Sequence, residues 1–291
     1  MIFKEWAEND TLIGKVCLIT GATSGIGKET ALALAGMGAD LIITGRDEEK
    51  TAAVVQEIRE FSKNENVNYL IADFSDLDQI RKLVDQFNHK YSKLHVLINN
   101  AGVYLPKRII TKYGVEKTFL VNYLAPFLLT NLLLDSLKSS CSSRIINVSS
   151  DAHKYGNIDL DDLEISKLYT GMKAYSRSKL ANILFTYSLS EMLKEDRICV
   201  NALHPGHVAT DIWDGGFGIL SNMMKKIIGR FSITPKEGAD NSIFLAVSPD
   251  INQDCGNYYV RRETVRSSDL SYDQHLAKDL WNKSEELVGL S

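Results

Sequence analysis

The chain has 291 residues and a formal net charge of -4, with 44% hydrophobic and 24% charged residues. That length allows a sizeable buried core, and the mild acidity argues against a nucleic-acid partner, which calls for a basic footprint. The opening 14 residues carry Lys4, Glu5, Glu8 and Asp10 and no long apolar run, so neither a signal peptide nor a membrane anchor is expected, and no later run is long enough to span a bilayer.

Residues 15–20 (KVCLIT) form a short apolar run that reads as a buried strand. A glycine-rich turn follows, then a helical stretch through Ala35. Residues 41–44 read as a second strand, 48–61 as a charged amphipathic helix, 67–72 as a third strand closed by Asp73, and 77–91 as helix. Residues 94–99 read as a fourth strand, 115–137 as one long helical stretch, and 144–148 as a fifth strand followed by Ser149 and Ser150. A helix containing Tyr175 is expected to run to about Lys194, and a sixth strand spans 198–204, stopped by Pro205-Gly206. Residues 235–247 read as helix, 256–260 as a possible seventh strand and 273–287 as a closing helix. Strands alternating with helices of this length predict right-handed βαβ units. The expected fold is α/β, one doubly wound parallel sheet with helices on both faces. No linker or internal repeat divides it, so residues 1–291 are expected to form one domain. Such sheets bind ligands at the carboxyl ends of their strands, near the switch point.

The four cysteines, Cys17, Cys141, Cys199 and Cys255, are scattered and show no Cys-x-x-Cys pair. They read as reduced thiols of a cytoplasmic protein.

Two stretches carry chemistry. The first strand-to-helix turn places glycines at 21, 25 and 27, where a tight turn lets backbone N–H groups approach a phosphate at the helix N-terminus. Its Gly-x-x-x-Gly-x-Gly spacing differs from the usual dinucleotide fingerprint. Later, Tyr175 and Lys179 stand four apart, on one face of a helix. An ammonium beside a phenol stabilises the phenolate and is expected to draw the tyrosine down from its ordinary value of about 10. Alone, such a pair is more often an ordinary solvated one.

Taken together, Thr20-Gly21-Ala22-Thr23-Ser24-Gly25-Ile26-Gly27, Asn99-Asn100-Ala101-Gly102, Asn122, Ser150, Tyr175-x-x-x-Lys179 and His204-Pro205-Gly206 resemble, in order and spacing, the short-chain dehydrogenase/reductase superfamily. The resemblance covers nearly the whole chain. The run 176–186, the run Val148-Ser149-Ser150-x-Ala152-His153 and the ending Leu270-Ser271-Tyr272-Asp273 with Leu280-Trp281 look like its retinol dehydrogenase-like branch.

That resemblance implies an oxidoreductase moving a hydride between a nicotinamide cofactor and an alcohol/carbonyl pair. Ser150 would hold the substrate oxygen. Tyr175 would be the proton donor in reduction, and Lys179 would bind the nicotinamide ribose. Asn122 would distort its helix and hold a water in a proton relay. Cofactor contacts would come from Gly21, Thr23, Ser24, Gly25, Ile26 and Gly27 in the turn. Further contacts would come from Arg46, from Asp73 and Phe74 after the third strand, from Asn99, Ala101 and Gly102, and from Pro205, Gly206, Val208 and Thr210. Asn99 is expected near the adenosine ribose and Asp73 at the adenine amino group. Ser149 is the rival for the serine role, but its spacing to Tyr175 is one residue too long.

An NAD site of this kind places an acid at the end of the second strand, where it accepts from the ribose 2′-OH. Here Gly45 stands at that point and Arg46 follows, so NADP is the expected cofactor. Asp47 is expected to cap the next helix. The apolar residues 210–230, with three early glycines, read as a lid over an apolar substrate; a packed helix and a membrane-touching surface are the alternatives. His204 and His207 read as loop residues, and no metal is assigned. Asp161, Asp162 and Glu164 read as a solvated acidic loop. The substrate is expected to be a retinoid or another aldehyde or ketone, with reduction the expected direction, and a homo-oligomer is possible. Rival readings are a non-catalytic NADP-binding scaffold and an epimerase or dehydratase.

Overall fold

The computed structural model describes residues 12–140, 142–206 and 233–290. Its strands are β1 (Val16–Ile19), β2 (Asp40–Gly45), β3 (Val67–Ile71), β4 (Val96–Asn99), β5 (Ser143–Val148), β6 (Ile198–His204), β7 (Tyr258–Val260) and β8 (Glu263–Thr264). They form one sheet in the order β3-β2-β1-β4-β5-β6-β7-β8. Neighbours are parallel, for example Leu18 beside Ile42 and Leu97, except that β7 and β8 pair antiparallel. The order reverses between β1 and β4, which sets the switch point there.

Side chains alternate across a strand, and the sheet uses both faces. Leu18, Ile42, Leu97, Ile145 and Val200 enter one core. Cys17, Ile19, Leu41, Ile43, Val96, Ile98 and Ile146 enter the other. Helices α1 (Gly25–Gly36) and α2 (Glu48–Ser62) cover the second core, with the later helix Pro235–Val247 packed on α1. Helix α3 (Leu77–Lys90) covers the first core together with α4 (Lys117–Phe119), α5 (Ala125–Leu132), α6 (Leu134–Lys138), α7 (Gly171–Met192) and the closing helix Gln274–Val288. The two later helices are α8 (Pro235–Val247) and α9 (Gln274–Val288). Thr234 and Glu237 cap α8 reciprocally, with Pro235 in its first turn. Among the described residues, no helix is long and apolar enough to cross a membrane.

Three features depart from expectation. The stretch expected as one helix over 115–137 is broken: α4 runs into a π turn at Leu120–Leu124 before α5. Pro126 has no N–H, so the Asn122 carbonyl lacks the donor that a regular helix would give it. A short strand, β8, returns against β7. Finally, Cys199 and Cys255 are not separate thiols. They are joined in a disulfide, with Cα atoms 5.0 Å apart across 56 residues of sequence. The β6–α8–β7 crossover brings them together, which sequence spacing could not show. The inference from cysteines to a reducing compartment falls with it. Cys17 is a buried free thiol, and Cys141 lies outside the described residues.

Candidate active site

The glycine turn is built around close backbone approach. Gly21 and Gly25 have φ of 63° and 56°, a region that favours glycine. A Cβ on Gly27 would lie 2.5 Å from Asn100 Nδ2 and 2.7 Å from the Gly21 carbonyl. Thr20 Oγ1 accepts from the Asn100 and Ala101 N–H groups, and Asn100 Nδ2 donates to the Thr20 and Gly21 carbonyls. The turn after β1 and the loop after β4 are thereby sewn together at the switch point. Ser24 stands at the N-terminus of α1, but its side chain makes no capping bond, and the first turn holds no acid. Those N–H groups and the positive end of the helix suit an anionic group. Helix α2 is the contrast: Asp47 accepts from Lys50 N–H at 2.8 Å, and Glu48 and Glu49 fill the first turn.

Asp47 is therefore a helix cap. Arg46 is exposed, with no ion-pair partner among the described residues. Gly45 is closely packed, because a Cβ there would lie 2.0 Å from Thr51 Oγ1 and 2.8 Å from Thr23 Cγ2. Asp73 is half-buried and accepts from Ser75 N–H, and Phe74 packs into the core. Asn99 turns inward. Its Nδ2 donates to Thr130 Oγ1 and Asn147 Oδ1, so its amide braces the sheet interior. Ala101 lies against Gly21, and Gly102 lies over Lys179, whose Nζ would be 3.7 Å from a Cβ at 102. Pro205 and Gly206 follow β6 at the same edge, with Gly206 at φ 91°. Val208, Thr210 and the expected lid over 210–230 lie outside the described residues.

Helix α7 carries the other half of the site. Thr170 caps it by accepting from Lys173 N–H. The helix is buried on nearly every side, so Tyr175 and Lys179, 8% and 3% exposed, are not a solvated pair. Lys179 Nζ donates to the Val148 carbonyl at 2.8 Å and lies 5.4 Å from the Tyr175 ring centre. Tyr104 meets the Tyr175 ring edge-on at 5.9 Å. Ser149 Oγ donates to the Lys179 carbonyl, pinning α7 to the end of β5; that is a structural role. Ser150, one residue on, hydrogen-bonds the Tyr175 phenol and accepts from Ala152 N–H. Asn122 grips the Val103 backbone from both sides, accepting from its N–H at 2.7 Å and donating to its carbonyl at 3.0 Å. It also donates to Ser178 Oγ.

Burial decides the ionisation. It pushes the Tyr175 phenol up to about 12, against the opposing hydrogen bond from Ser150. It pulls the Lys179 ammonium down to about 8. The depressed phenol expected from helical spacing is therefore absent, because desolvation outweighs the Ser150 hydrogen bond. At neutral pH the phenol carries its proton and is a donor.

The structure thus brings together Asn122, Ser150, Tyr175 and Lys179, with the glycine turn nearby at the switch point. Such a set can donate hydrogen bonds to a developing oxyanion and hand it a proton. Residues 15–216 match the model of the short chain dehydrogenase family. The chain belongs to that family. It is an oxidoreductase of the retinol dehydrogenase-like branch. It is 40% identical over 283 residues to a human polyprenol dehydrogenase, covering 95% of this chain and 86% of the relative. It is 40% identical over 285 residues to human retinol dehydrogenase 13, covering 96% and 86%. A solved structure of an uncharacterised protein of Mycobacterium paratuberculosis is similar at a TM-score of 0.76, with 31% identity over 95% of this chain and 94% of that one.

Tyr104 at the site was not visible in the sequence, and the contacts that Thr20 and Asn100 make between distant segments were not visible either. His204 is buried at the end of β6, and its Nδ1 accepts from Asp151 N–H at 3.4 Å; it is not a loop residue. Arg177, also buried, donates to the Asn157 and Asp162 carbonyls and fastens the 157–162 loop to α7. That loop is less free than its acidic composition predicts, since Glu164 also pairs with Arg108 at 2.9 Å.

Proposed function

We propose that the chain is one catalytic domain that transfers a hydride between NADP(H) and an apolar alcohol/carbonyl pair, with reduction of an aldehyde or ketone as the working direction. The observation that carries the reading is buried Tyr175 and Lys179 with half-buried Ser150, beside an uncapped, acid-free helix N-terminus at the switch point. The cofactor fits the residues present. The turn over 21–27 leaves backbone N–H groups for a diphosphate, Gly45 leaves no carboxylate to repel a 2′-phosphate, and exposed Arg46 stands ready to bind one.

The cofactor supplies hydride to the carbonyl carbon. Ser150 Oγ and the Tyr175 phenol donate hydrogen bonds to the carbonyl oxygen as negative charge develops on it. Tyr175 then passes its proton to that oxygen, giving the alcohol. Lys179 stabilises the phenolate left behind and holds the nicotinamide ribose. The Asn122 carbonyl, deprived of a helical donor by Pro126, accepts from a water that returns a proton towards Lys179. Polyprenol and retinol, named in two relatives, are both apolar isoprenoid alcohols, which supports an apolar substrate. The assay is NADPH consumption with retinaldehyde and a panel of aliphatic and aromatic aldehydes, repeated with NADH. Arg46→Ala should weaken NADPH by about 1.5–3 kcal/mol, the scale of a hydrogen bond to a charged group, and leave NADH unchanged. Equal use of both cofactors by the wild type, or equal weakening of both, would overturn the cofactor assignment.

A further inference from the structure

Resting on that reading of Ser150, we propose that His153 is a positioning residue: its imidazole, opposed by His204, fixes the Ser150–Asp151 peptide and so sets where the Ser150 hydroxyl points. The Ser150 carbonyl and the Asp151 N–H belong to one peptide unit, and an imidazole holds each end. The Ser150 carbonyl accepts from His153 Nδ1 at 2.7 Å and from the His153 backbone N–H at 3.0 Å. Asp151 N–H donates to His204 Nδ1 at 3.4 Å. One residue earlier, Ser149 N–H donates to the Leu203 carbonyl at 2.8 Å. Three successive anchors therefore fix the backbone that carries the Ser150 hydroxyl.

The tautomer of His153 follows from its partners. A carbonyl only accepts, so Nδ1 carries the proton; Nε2 accepts from Ser268 N–H at 3.1 Å. The ring is fully buried and meets Tyr258 edge-on at 4.9 Å. Tyr258 donates to Asp151 Oδ1 at 3.2 Å, so the same cluster also holds the Asp151 side chain. Burial pulls the His153 imidazolium down, which favours the neutral ring this geometry needs. His153, 115 residues from Ser268, thus ties the C-terminal stretch beginning there to the serine. Both stretches stand out in the sequence, yet the hydride-transfer scheme by itself uses only one.

The test uses the full chain and three substitutions. An asparagine amide places an N–H near where Nδ1 stands, a glutamine amide reaches the Nε2 position, and phenylalanine keeps the ring while losing both nitrogens. In His153→Phe, kcat for the best carbonyl should fall about 10²-fold, the scale of a small misplacement of a reacting group, with the NADPH dissociation constant unchanged. His153→Asn should recover most of that loss and His153→Gln should not. Wild-type kcat in His153→Phe, no recovery in His153→Asn, or a loss that appears in cofactor binding would each overturn the proposal. A second measurement needs no substrate: the 13Cζ resonance of Tyr175, assigned with Tyr175→Phe, should shift in His153→Phe as it shifts in Ser150→Ala. A resonance that moves in neither, or in Ser150→Ala alone, overturns the clamp. If the wild type reduces no carbonyl, the proposed reaction fails and the resonance alone decides the clamp. If His153→Phe does not fold, His153→Gln provides the same contrast.

Discussion

Tyr175→Phe isolates one oxygen. The ring would keep its edge-on contact with Tyr104 at 5.9 Å and its place under Lys179, so packing is preserved. The lost hydrogen bond to Ser150 should cost stability about 1 kcal/mol, the usual net worth of such a bond. The catalytic loss should be much larger. A positioned acid contributes roughly 10²–10⁴-fold, equivalent to about 3–5 kcal/mol of barrier. Folding and turnover therefore separate: the melting temperature barely moves while kcat collapses. The assay is single-wavelength NADPH consumption at saturating carbonyl, with NADPH affinity measured by fluorescence titration and stability by urea unfolding. A kcat within a few fold of wild type would refute the role of the phenol. A loss confined to NADPH affinity would show that Tyr175 serves binding alone.

Three further outcomes follow from the same geometry. A Cβ at Gly45 would meet Thr51 Oγ1 at 2.0 Å, so Gly45→Ala should destabilise by about 1–3 kcal/mol, with Thr51→Ala restoring part of it; additive effects in urea unfolding would contradict that contact. Burial holds Lys179 at about 8 against an ordinary 10.5, so the unfolded chain binds more protons between those values and stability rises with pH there. Cofactor-free Lys179→Met should exceed wild type by an amount on the order of 3 kcal/mol larger below pH 8 than above pH 10.5, and a difference independent of pH would refute the burial argument. Reducing the Cys199–Cys255 disulfide should lower stability by about 2–4 kcal/mol; unfolding curves that coincide with and without reductant would count against the bridge.

Sequence alone determined the frame, because its signals are local. Short apolar runs separated by amphipathic stretches specify buried strands and covering helices, since the periods of 2 and 3.6 residues are fixed by backbone geometry. The order of β1 to β7, the glycine turn and the Tyr175–Lys179 spacing were all legible in this way. The cap at Asp47 was legible too, because a cap acts within three residues.

Tertiary structure decided whatever depends on two segments meeting. Helical spacing predicts a lowered Tyr175 phenol, but the ionisation follows from burial, and burial is set by everything packed around α7. The partners of the Asn99 amide nitrogen, Thr130 and Asn147, come from other elements. The disulfide joins residues 56 apart, and the His153 bond to Ser268 joins residues 115 apart. No local pattern encodes such pairs. They exist because the parallel crossovers return distant strands and loops to one another, and there the partners of each buried group are chosen by proximity in space.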